Sequence, residues 1–246
     1  MAKPAPIAAR LHMVGLLLIL FGVAGAGFFA QQQAATSTAT ATATATASQL
    51  AEHRQAIQFY LVALCMDWAL FAYCYFGVRR RGGNLVTLSG GRWKSAKDVL
   101  TDIAIAIPFF ALWEGVAYGS HYILDLLNPT NNAATVDSLL PKSPLEVTLW
   151  ILLCLTAGFC EEIAFRGYLQ KQFHAFTGSI AVAVILQGLV FGVTHGYQGW
   201  KNVVVITALG VLYGVLAAWR RNLRVNIMSH AWSDAWEGWL KFILFR

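Results

Sequence analysis

The stretch GFCEEIAFRGYLQ, residues 158–170, places two adjacent carboxylates and an arginine inside a run of apolar residues. The apolar run extends from about 146 to 173, which is long enough to cross a bilayer as one helix. A charged side chain in the hydrocarbon costs about 2.5–3.5 kcal/mol on insertion scales. Charges retained at this cost indicate that Glu161, Glu162 and Arg166 form the wall of a cavity inside a membrane protein.

The composition of the whole chain agrees with a membrane fold. Of its 246 residues, 57% are hydrophobic and 12% are charged, whereas a soluble domain has about 25% charged residues. Seven apolar segments approach the ~20 residues that a spanning helix needs. They are 11–29, 55–78, 99–124, 146–173, 179–197, 202–219 and 225–244. The sequence therefore predicts an all-α, polytopic transmembrane bundle of about seven helices with an intramembrane polar cavity.

The basic residues, which give the chain a net charge of +6, cluster between particular apolar segments. Lysine and arginine accumulate in the cytoplasmic loops of membrane proteins. The clusters are Lys3 and Arg10, then Arg79, Arg80, Arg81, Arg92, Lys94 and Lys97, and finally Arg220, Arg221 and Arg224. Because an even number of crossings separates them, all three predict a multi-pass protein of the cell membrane with a cytoplasmic N-terminus. No base-reading or stacking groups indicate a nucleic-acid partner.

The N-terminal part of the chain differs from the rest. Its first apolar segment predicts a membrane anchor, with a cleaved signal peptide as the alternative. The stretch STATATATATAS, 37–48, predicts an extended, non-cytoplasmic linker. We divide the chain into an anchor with its linker, 1–54, and a transmembrane domain, 55–246, whose polar motifs fall within about 95–245. The four cysteines lie in apolar runs without a CxxC pair, which predicts buried thiols and neither a disulfide framework nor a zinc knuckle.

The spacing of the charges in EEIAFR separates the roles of the two glutamates. Residues four apart on a helix share a face, so Glu162 and Arg166 can pair. Glu161 lies five residues from Arg166, points about 140° away from it, and has no cation on its own helix. We expect Glu162 to be structural and ionised, and Glu161 to be free for acid–base work on water. The alternative is a buried ion-pair triad that only fixes helix packing.

A turn at Gly178 brings a histidine towards these carboxylates. His195 ends the motif FGVTH and shares a helix face with Phe191. Glu161 lies 17 residues before Gly178 and His195 lies 17 residues after it, so the two side chains meet at equal depth in an antiparallel helical hairpin. The alternative for a lone membrane histidine is a satisfied interhelical hydrogen-bond donor.

His230 and Asp234, in HAWSD, form a further polar pair on one helix face. Such a pair can orient a ring, fix its tautomer or bind a metal, and Asn226 lies one turn earlier on the same side. A straight sixth helix would leave His195 and His230 roughly 10 Å apart in depth, so helix tilt or an unwound end must close that gap. The alternative is a satisfied polar patch near the membrane surface.

Together these motifs resemble a known family. EEIAFR at 161–166, FGVTH at 191–195 and HAWSD at 230–234 match the patterns EExxxR, FxxxH and Hxxx followed by Asn or Asp. In this order on consecutive hydrophobic helices they resemble the CPBP family of intramembrane proteases. That family includes the type II CAAX prenyl proteases and bacteriocin-processing or self-immunity (Abi-like) proteins. The resemblance covers about residues 95–245.

The resemblance implies an all-α membrane fold with a polar cavity open towards the cytosol, and hydrolysis of a peptide bond in CAAX-type protein processing. The catalytic residues it implies are Glu161, His195, His230 and Asp234, and the supporting residues are Glu162, Arg166 and Phe191. Glu161 and His195 would activate water, while His230 and Asp234 would stabilise the oxyanion. CAAX proteases often carry Asn at the last position. An anionic Asp234 is a poor oxyanion donor, so it must be protonated or act through His230.

Several alternatives stay open at this stage. The enzyme is either a glutamate protease without a cofactor or a metalloprotease holding a divalent metal such as zinc on His195, His230 and Glu161. Its expected partners are a peptide or protein substrate, membrane-anchored or not, and membrane lipid. The alternative functions are a non-catalytic immunity or scaffold protein of the same fold, and a proton-relay transporter, which the missing internal repeat disfavours.

Overall fold

The computed structural model describes residues 4–37, 45–129 and 139–244, and every regular element within these ranges is helical. In chain order the elements are α1 (Arg10–Ser37), α2 (Ala45–Arg79), α3 (Leu85–Ser89), α4 (Ala96–Leu127), α5 (Pro144–Glu162), a π-helical segment (Ile163–Leu169), α6 (Gln170–Thr177), α7 (Ile180–Thr194), a 3-10 turn (Gly196–Gln198), α8 (Trp200–Arg220) and α9 (Arg224–Leu244). The predicted all-α class is confirmed.

Within the described residues, five helical stretches are long and apolar enough to cross a membrane: Arg10–Phe29, Ala51–Arg79, Ala96–Leu127, Pro144–Thr177 and Trp200–Arg220. Two further helices coincide with the remaining predicted segments. Helix α7 is apolar but has only 15 residues, and α9 carries the polar motif of His230. All seven predicted segments are therefore helical. The short helix α3 was not predicted, because it lies in a connection that the glycines indicated to be a loop.

Two predicted loops differ from the structure or lie partly outside the described residues. Of the linker predicted over 37–48, residues 38–44 lie outside the described residues. Its last residues, 45–48, form the first turn of α2 instead of an extended chain. Alanine has the highest helix propensity, so the helix continues into the repeat. The predicted external loop, 128–144, is described only at its two ends.

One end of the bundle carries the basic connections and is held together by a buried carboxylate. Asp102, at the start of α4, accepts hydrogen bonds from Arg220 at 2.7 Å and from Arg224 at 2.6 Å. The backbone N–H of Leu223 donates to the carbonyl of Ser89 at 2.9 Å. The connections α2–α4 and α8–α9 thus meet at one end of the bundle, which we call the basic end.

The other ends of these helices meet at the opposite end of the bundle. His53 at the start of α2 pairs with Glu146 at the start of α5. Lys201 at the start of α8 pairs with Asp125 near the end of α4. The long helices therefore run from one end to the other, as a membrane-spanning bundle requires.

Small residues let the helices approach closely near the centre of the bundle. A Cβ added at Gly158 of α5 would lie 2.8 Å from the backbone nitrogen of Ala231 in α9. One added at Gly188 of α7 would lie 3.0 Å from the backbone nitrogen of Val211 in α8. Small residues permit such contacts between membrane helices. The first contact brings the paired glutamates of α5 next to His230.

The N-terminal segment packs against the motif-bearing helices. The side-chain oxygen of Gln172 accepts hydrogen bonds from the backbone N–H groups of Ile7 and Ala8, at 2.9 and 3.2 Å. His12 forms a 2.7 Å hydrogen bond with the hydroxyl of Tyr168. The division of the chain after residue 54 stays a prediction.

The cysteine prediction was wrong for one residue. Cys74, Cys154 and Cys160 are buried and free, but Cys65 is exposed on α2. An apolar side chain on the outer face of a membrane helix is exposed in the isolated chain because its neighbour is lipid.

Candidate active site

A cavity of about 440 Å³ lies among α2, α4, α5, α7, α8 and α9. Its polar wall contains the four residues predicted to be catalytic, Glu161, His195, His230 and Asp234. It also contains Asp67 of α2, which belongs to none of the three motifs. Apolar and aromatic residues supply most of the remaining wall, which is typical of a ligand-binding pocket.

Glu162 is the fully buried centre of a hydrogen-bond network beneath the cavity. Its Oε1 atom accepts hydrogen bonds from Arg166 at 2.8 Å and from Nδ1 of His230 at 2.9 Å. Its Oε2 atom accepts one from the amide of Asn226 at 3.1 Å. The i, i+4 pair predicted from the sequence is present, and the same carboxylate also holds a ring from α9. Every one of these contacts favours an ionised Glu162.

His230 connects this network to the cavity. Because a carboxylate only accepts, Nδ1 of His230 carries a proton and donates it to Glu162. Nε2 faces the cavity, 3.7 Å from Glu161 and 3.5 Å from Asp234. The ring of Tyr213 stacks on the imidazole with centroids 5.4 Å apart and so restrains its tilt. A proton on Nε2 would be attracted by both cavity carboxylates, which makes His230 a natural hydrogen-bond donor into the cavity.

His195 offers the cavity a hydrogen-bond acceptor, whereas His230 offers a donor. Its Nδ1 atom lies 2.8 Å from the carbonyl oxygen of Phe191. A carbonyl only accepts, so Nδ1 carries the proton and Nε2 of the neutral ring keeps its lone pair. Since His195 lines the cavity, this lone pair can accept a hydrogen bond from water or bind a cation.

Phe191 fills the space between the two histidines. Its ring centroid lies 4.8 Å from that of His195 and 6.0 Å from that of His230. The guanidinium of Arg166 lies 4.3 Å from the same ring, in a cation–π contact. The side chain of Phe191 therefore contacts both His195 and His230, which were predicted to differ in depth.

The shortness of α7 explains how His195 reaches this depth. Fifteen residues span about 22 Å, less than the hydrocarbon thickness of about 30 Å. The helix ends at His195, where the backbone leaves helical geometry and continues as a 3-10 turn. An unwound end, one of the two predicted possibilities, is therefore present.

The hairpin geometry differs in one arm from the prediction. Gly178 ends α6 in the left-handed conformation at φ 76°, as a turn there requires. The arm before it contains the buried π-helical segment Ile163–Leu169, whereas α7 is a regular α-helix. Equal residue counts then no longer give equal depths. Among the described residues, the histidine nitrogen within 4 Å of Glu161 belongs to His230, and Glu161 and His195 share the cavity without an ion pair.

Asp67 is a cavity carboxylate that the motifs missed. It is buried on α2 and interacts electrostatically with Glu161, His230 and Asp234. The signal was present in the sequence, because a lone carboxylate inside an apolar span is a candidate for a functional site. Glu237 also lines the cavity.

The predicted metal ligands do not form a metal-binding group. Among the residues described, no group of three or more His, Cys, Asp or Glu side chains is arranged to hold a metal ion. We therefore derive no step through a metal at this site.

Comparison with known proteins now adds an independent observation. Residues 143–236 match the family described as type II CAAX prenyl endopeptidase Rce1-like. This Rce1-like region begins at the N-cap of α5, ends within α9 and contains the three motifs. It confirms the resemblance to the CPBP family, over a shorter stretch than the 95–245 predicted.

A relative in Bacillus subtilis (strain 168) bears the name uncharacterized protein YpbD. It is 32% identical over 87 residues, which are 35% of this chain and 41% of that protein. The chain thus spans about two fifths of the length of this relative. No solved structure was found to match the chain. Its long apolar helices show an integral membrane protein, and its Rce1-like region, residues 143–236, is similar to a CAAX-type protease family.

Proposed function

We propose that the protein is an intramembrane endopeptidase of the CAAX-protease type that hydrolyses a peptide bond with a glutamate-activated water. The observation that carries the proposal is the arrangement around His230. One ring nitrogen is held by the buried Glu162, and the other faces Glu161 and Asp234 in the cavity. An enzyme that cleaves an amide needs an activated water and a donor for the oxyanion, and this cavity offers both.

Water activation is assigned to Glu161 and His195. A water in the cavity can donate one hydrogen bond to the Glu161 carboxylate and one to the Nε2 lone pair of His195. As the water oxygen attacks the substrate carbonyl carbon, its proton passes to Glu161. The same proton then passes to the leaving nitrogen as the C–N bond breaks, which restores the carboxylate and releases an amine and a carboxylic acid.

Stabilisation of the oxyanion is assigned to His230. Its Nε2–H would donate to the oxygen of the tetrahedral intermediate, in a poorly solvated site where such a bond is stronger than in water. Asp234, whose carboxylate lies 3.5 Å from Nε2, acts through this ring by favouring its protonated form. This assignment removes the difficulty of an anion as an oxyanion donor.

The supporting residues position these groups. Arg166 holds Glu162 by an ion pair and packs on Phe191, and Glu162 orients His230. Phe191 in turn contacts both histidine rings. Each of the three acts through another side chain and is a positioning residue.

Cleavage of a quenched-fluorescent peptide library by the purified full-length protein tests the proposal. Glu161→Gln removes the base while preserving size, and we expect the rate to fall by about 10²–10⁴-fold. The matched control is Glu114→Gln on α4, whose two carboxylate oxygens are buried without a hydrogen-bond partner. Glu114 does not line the described cavity, so this variant should cleave like wild type. Full activity of Glu161→Gln would refute the mechanism. Equal inactivity of wild type and both variants would favour the non-catalytic immunity or scaffold role.

A further inference from the structure

Helices α2 and α5 lie side by side and run in the same direction. His53 pairs with Glu146 where the two helices begin, and further along them the ring of Trp68 lies 6.2 Å from that of Phe159. Both stretches are regular α-helix, so each residue advances the chain by about 1.5 Å. Residue counts from the shared starting pair therefore measure depth in both helices.

This common register places Asp67 of α2 level with Glu161 of α5. Asp67 lies 14 residues after His53, and Glu161 lies 15 residues after Glu146, which is a difference of about 1.5 Å in depth. Both side chains line the cavity. Two carboxyl groups from neighbouring helices therefore line the cavity at the same depth.

Asp67 is a buried acid without a partner in the described part of the protein. It is 9% exposed, and no described residue donates a hydrogen bond to it or places a cationic nitrogen within 4 Å of it. The titratable groups that interact with it electrostatically are Glu161 and Cys160 from α5, His230 and Asp234 from α9, and Tyr197 from the turn after α7. A polar group buried in this way is satisfied by water or by a ligand in the cavity.

The charges around the cavity favour a proton on Asp67. Nε2 of His230 lies 3.7 Å from Glu161 and 3.5 Å from Asp234, so a protonated imidazole offsets the charges of these two carboxylates. Asp67 has no such cation within ion-pair distance. A buried carboxyl group beside like charges keeps its proton, because its ionised form would be both poorly solvated and repelled.

We propose that Asp67 is a further catalytic residue, whose protonated carboxyl group donates a hydrogen bond to the attacking water. The inference rests on the proposed function for its reaction. The two O–H groups of the water are assigned to Glu161 and His195, which leaves two lone pairs on its oxygen. One lone pair attacks the substrate carbonyl carbon, and the other accepts the hydrogen bond from Asp67.

This arrangement separates the roles of two carboxyl groups at one depth. Asp67 keeps its proton throughout the reaction, so the proton balance of the proposed steps is unchanged. Glu161 is the ionised member of the two and is therefore the base. The hydrogen bond from Asp67 orients the water oxygen towards the substrate, and positioning of this kind lowers the barrier of the attack.

The variants Asp67→Asn and Asp67→Ala test the inference in peptide cleavage by the purified full-length protein. Asparagine keeps the size of the side chain and a neutral N–H donor, whereas alanine removes the donor. We expect Asp67→Asn to stay within about threefold of the wild-type kcat and Asp67→Ala to lose about 10–100-fold, the effect of one hydrogen bond. KM should be unchanged at equal folded fraction, because Asp67 binds the water and not the peptide.

The matched control is Asp125→Asn, the same change in the wall of the same cavity. The Asp125 side chain is 62% exposed and pairs with Lys201, so this variant should cleave like wild type. Cleavage by Asp67→Ala at the wild-type rate overturns the inference. Inactivity of Asp67→Asn equal to that of Glu161→Gln also overturns it, because Asp67 would then act as an ionised base.

Infrared spectroscopy tests the proton on Asp67 without requiring activity. A protonated carboxylic acid has a carbonyl band that is separate from the amide and carboxylate bands. The difference between the wild-type and Asp67→Asn spectra at neutral pH should contain this band, and the difference between wild type and Asp125→Asn should not. Asparagine preserves the size of the side chain, so this comparison stands even where Asp67→Ala folds poorly.

The two measurements distinguish failure of the inference from failure of the proposed function. A wild-type protein that cleaves peptide but shows no band assigned to Asp67 refutes the inference alone. A wild-type protein that shows the band but cleaves no peptide refutes the proposed function, and the catalytic role of Asp67 with it.

Discussion

Nδ1 of His230 lies 2.9 Å from Oε1 of Glu162, so Glu162 orients this imidazole ring. The other ring nitrogen, Nε2, faces Glu161. The two adjacent carboxylates therefore contact the two nitrogens of one imidazole. Glu162 is buried beneath the cavity, and Glu161 lines it. A substitution in the buried network should therefore affect both stability and catalysis, whereas substitutions in the cavity wall should affect mainly catalysis.

Arg166→Met should strongly destabilise the protein. It leaves the buried Glu162 carboxylate without its ion pair, and breaking a buried pair from one side costs about 3–5 kcal/mol. The expected loss is in the free energy of unfolding, measured by denaturant titration in mixed micelles. Activity should fall as well, because Arg166 no longer holds Glu162, the carboxylate that orients His230.

The double variant Glu162→Leu/Arg166→Met provides the control for that prediction. Replacing both residues leaves no unpaired buried charge, although His230 and Asn226 lose their acceptor. We therefore expect the double variant to be more stable than Arg166→Met and to be inactive. If the single variant proved as stable as wild type, the network would not hold the fold together.

Asp234→Asn should retain part of the activity. Asparagine keeps the size of the side chain beside His230 but no longer favours the charged form of the ring electrostatically. We expect a rate reduction on the order of tenfold, equivalent to about 1.4 kcal/mol in the barrier, and a changed pH–rate profile. Asp234→Ala should lose more. A wild-type pH profile in Asp234→Asn would contradict an action through His230.

Removal of divalent metal should leave cleavage unchanged. The proposed steps use only Glu161, His195 and His230, whose nitrogen donors are oriented by hydrogen bonds within the chain. Purified protein treated with a strong chelator and then desalted should cleave the peptide at the untreated rate. Loss of activity that is restored specifically by zinc would instead support the metalloprotease alternative.

Asp102→Asn should destabilise the fold without altering the chemistry. Asp102 is fully buried and accepts hydrogen bonds from Arg220, Arg224 and Trp93. Weakening hydrogen bonds to a charged group costs about 1.5–3 kcal/mol, and Asp102 does not line the cavity.

The exposed pair of Glu52 and Lys142 supplies the matched control for Asp102. Both side chains are 45% exposed, so Glu52→Gln should change the free energy of unfolding by less than about 1 kcal/mol. Folded Asp102→Asn protein should cleave peptide at the wild-type rate. A specific loss of its rate, at equal folded fraction, would show that the basic end is coupled to the active site.

The sequence by itself determined the fold class, because apolar segments of spanning length leave helices as the available structure. Local spacing also determined the pair of Glu162 and Arg166, since residues four apart share a helix face whatever surrounds them. Predictions from composition were wrong for two features that depend on contacts outside the local sequence. The alanine–threonine repeat joins α2 at its end, and Cys65 points away from the protein.

Only the tertiary structure decided which groups meet in the cavity. The contact of His230 with Glu162 and Glu161 depends on the close approach of α5 and α9 at Gly158, and the position of His195 depends on the early end of α7. The π-helical segment changed the register of one hairpin arm, which residue counting could not anticipate. Asp67 entered the cavity from a helix without a motif. Contacts between distant segments depend on packing and helix irregularities that local periodicity does not encode, and for that reason the site required the structure.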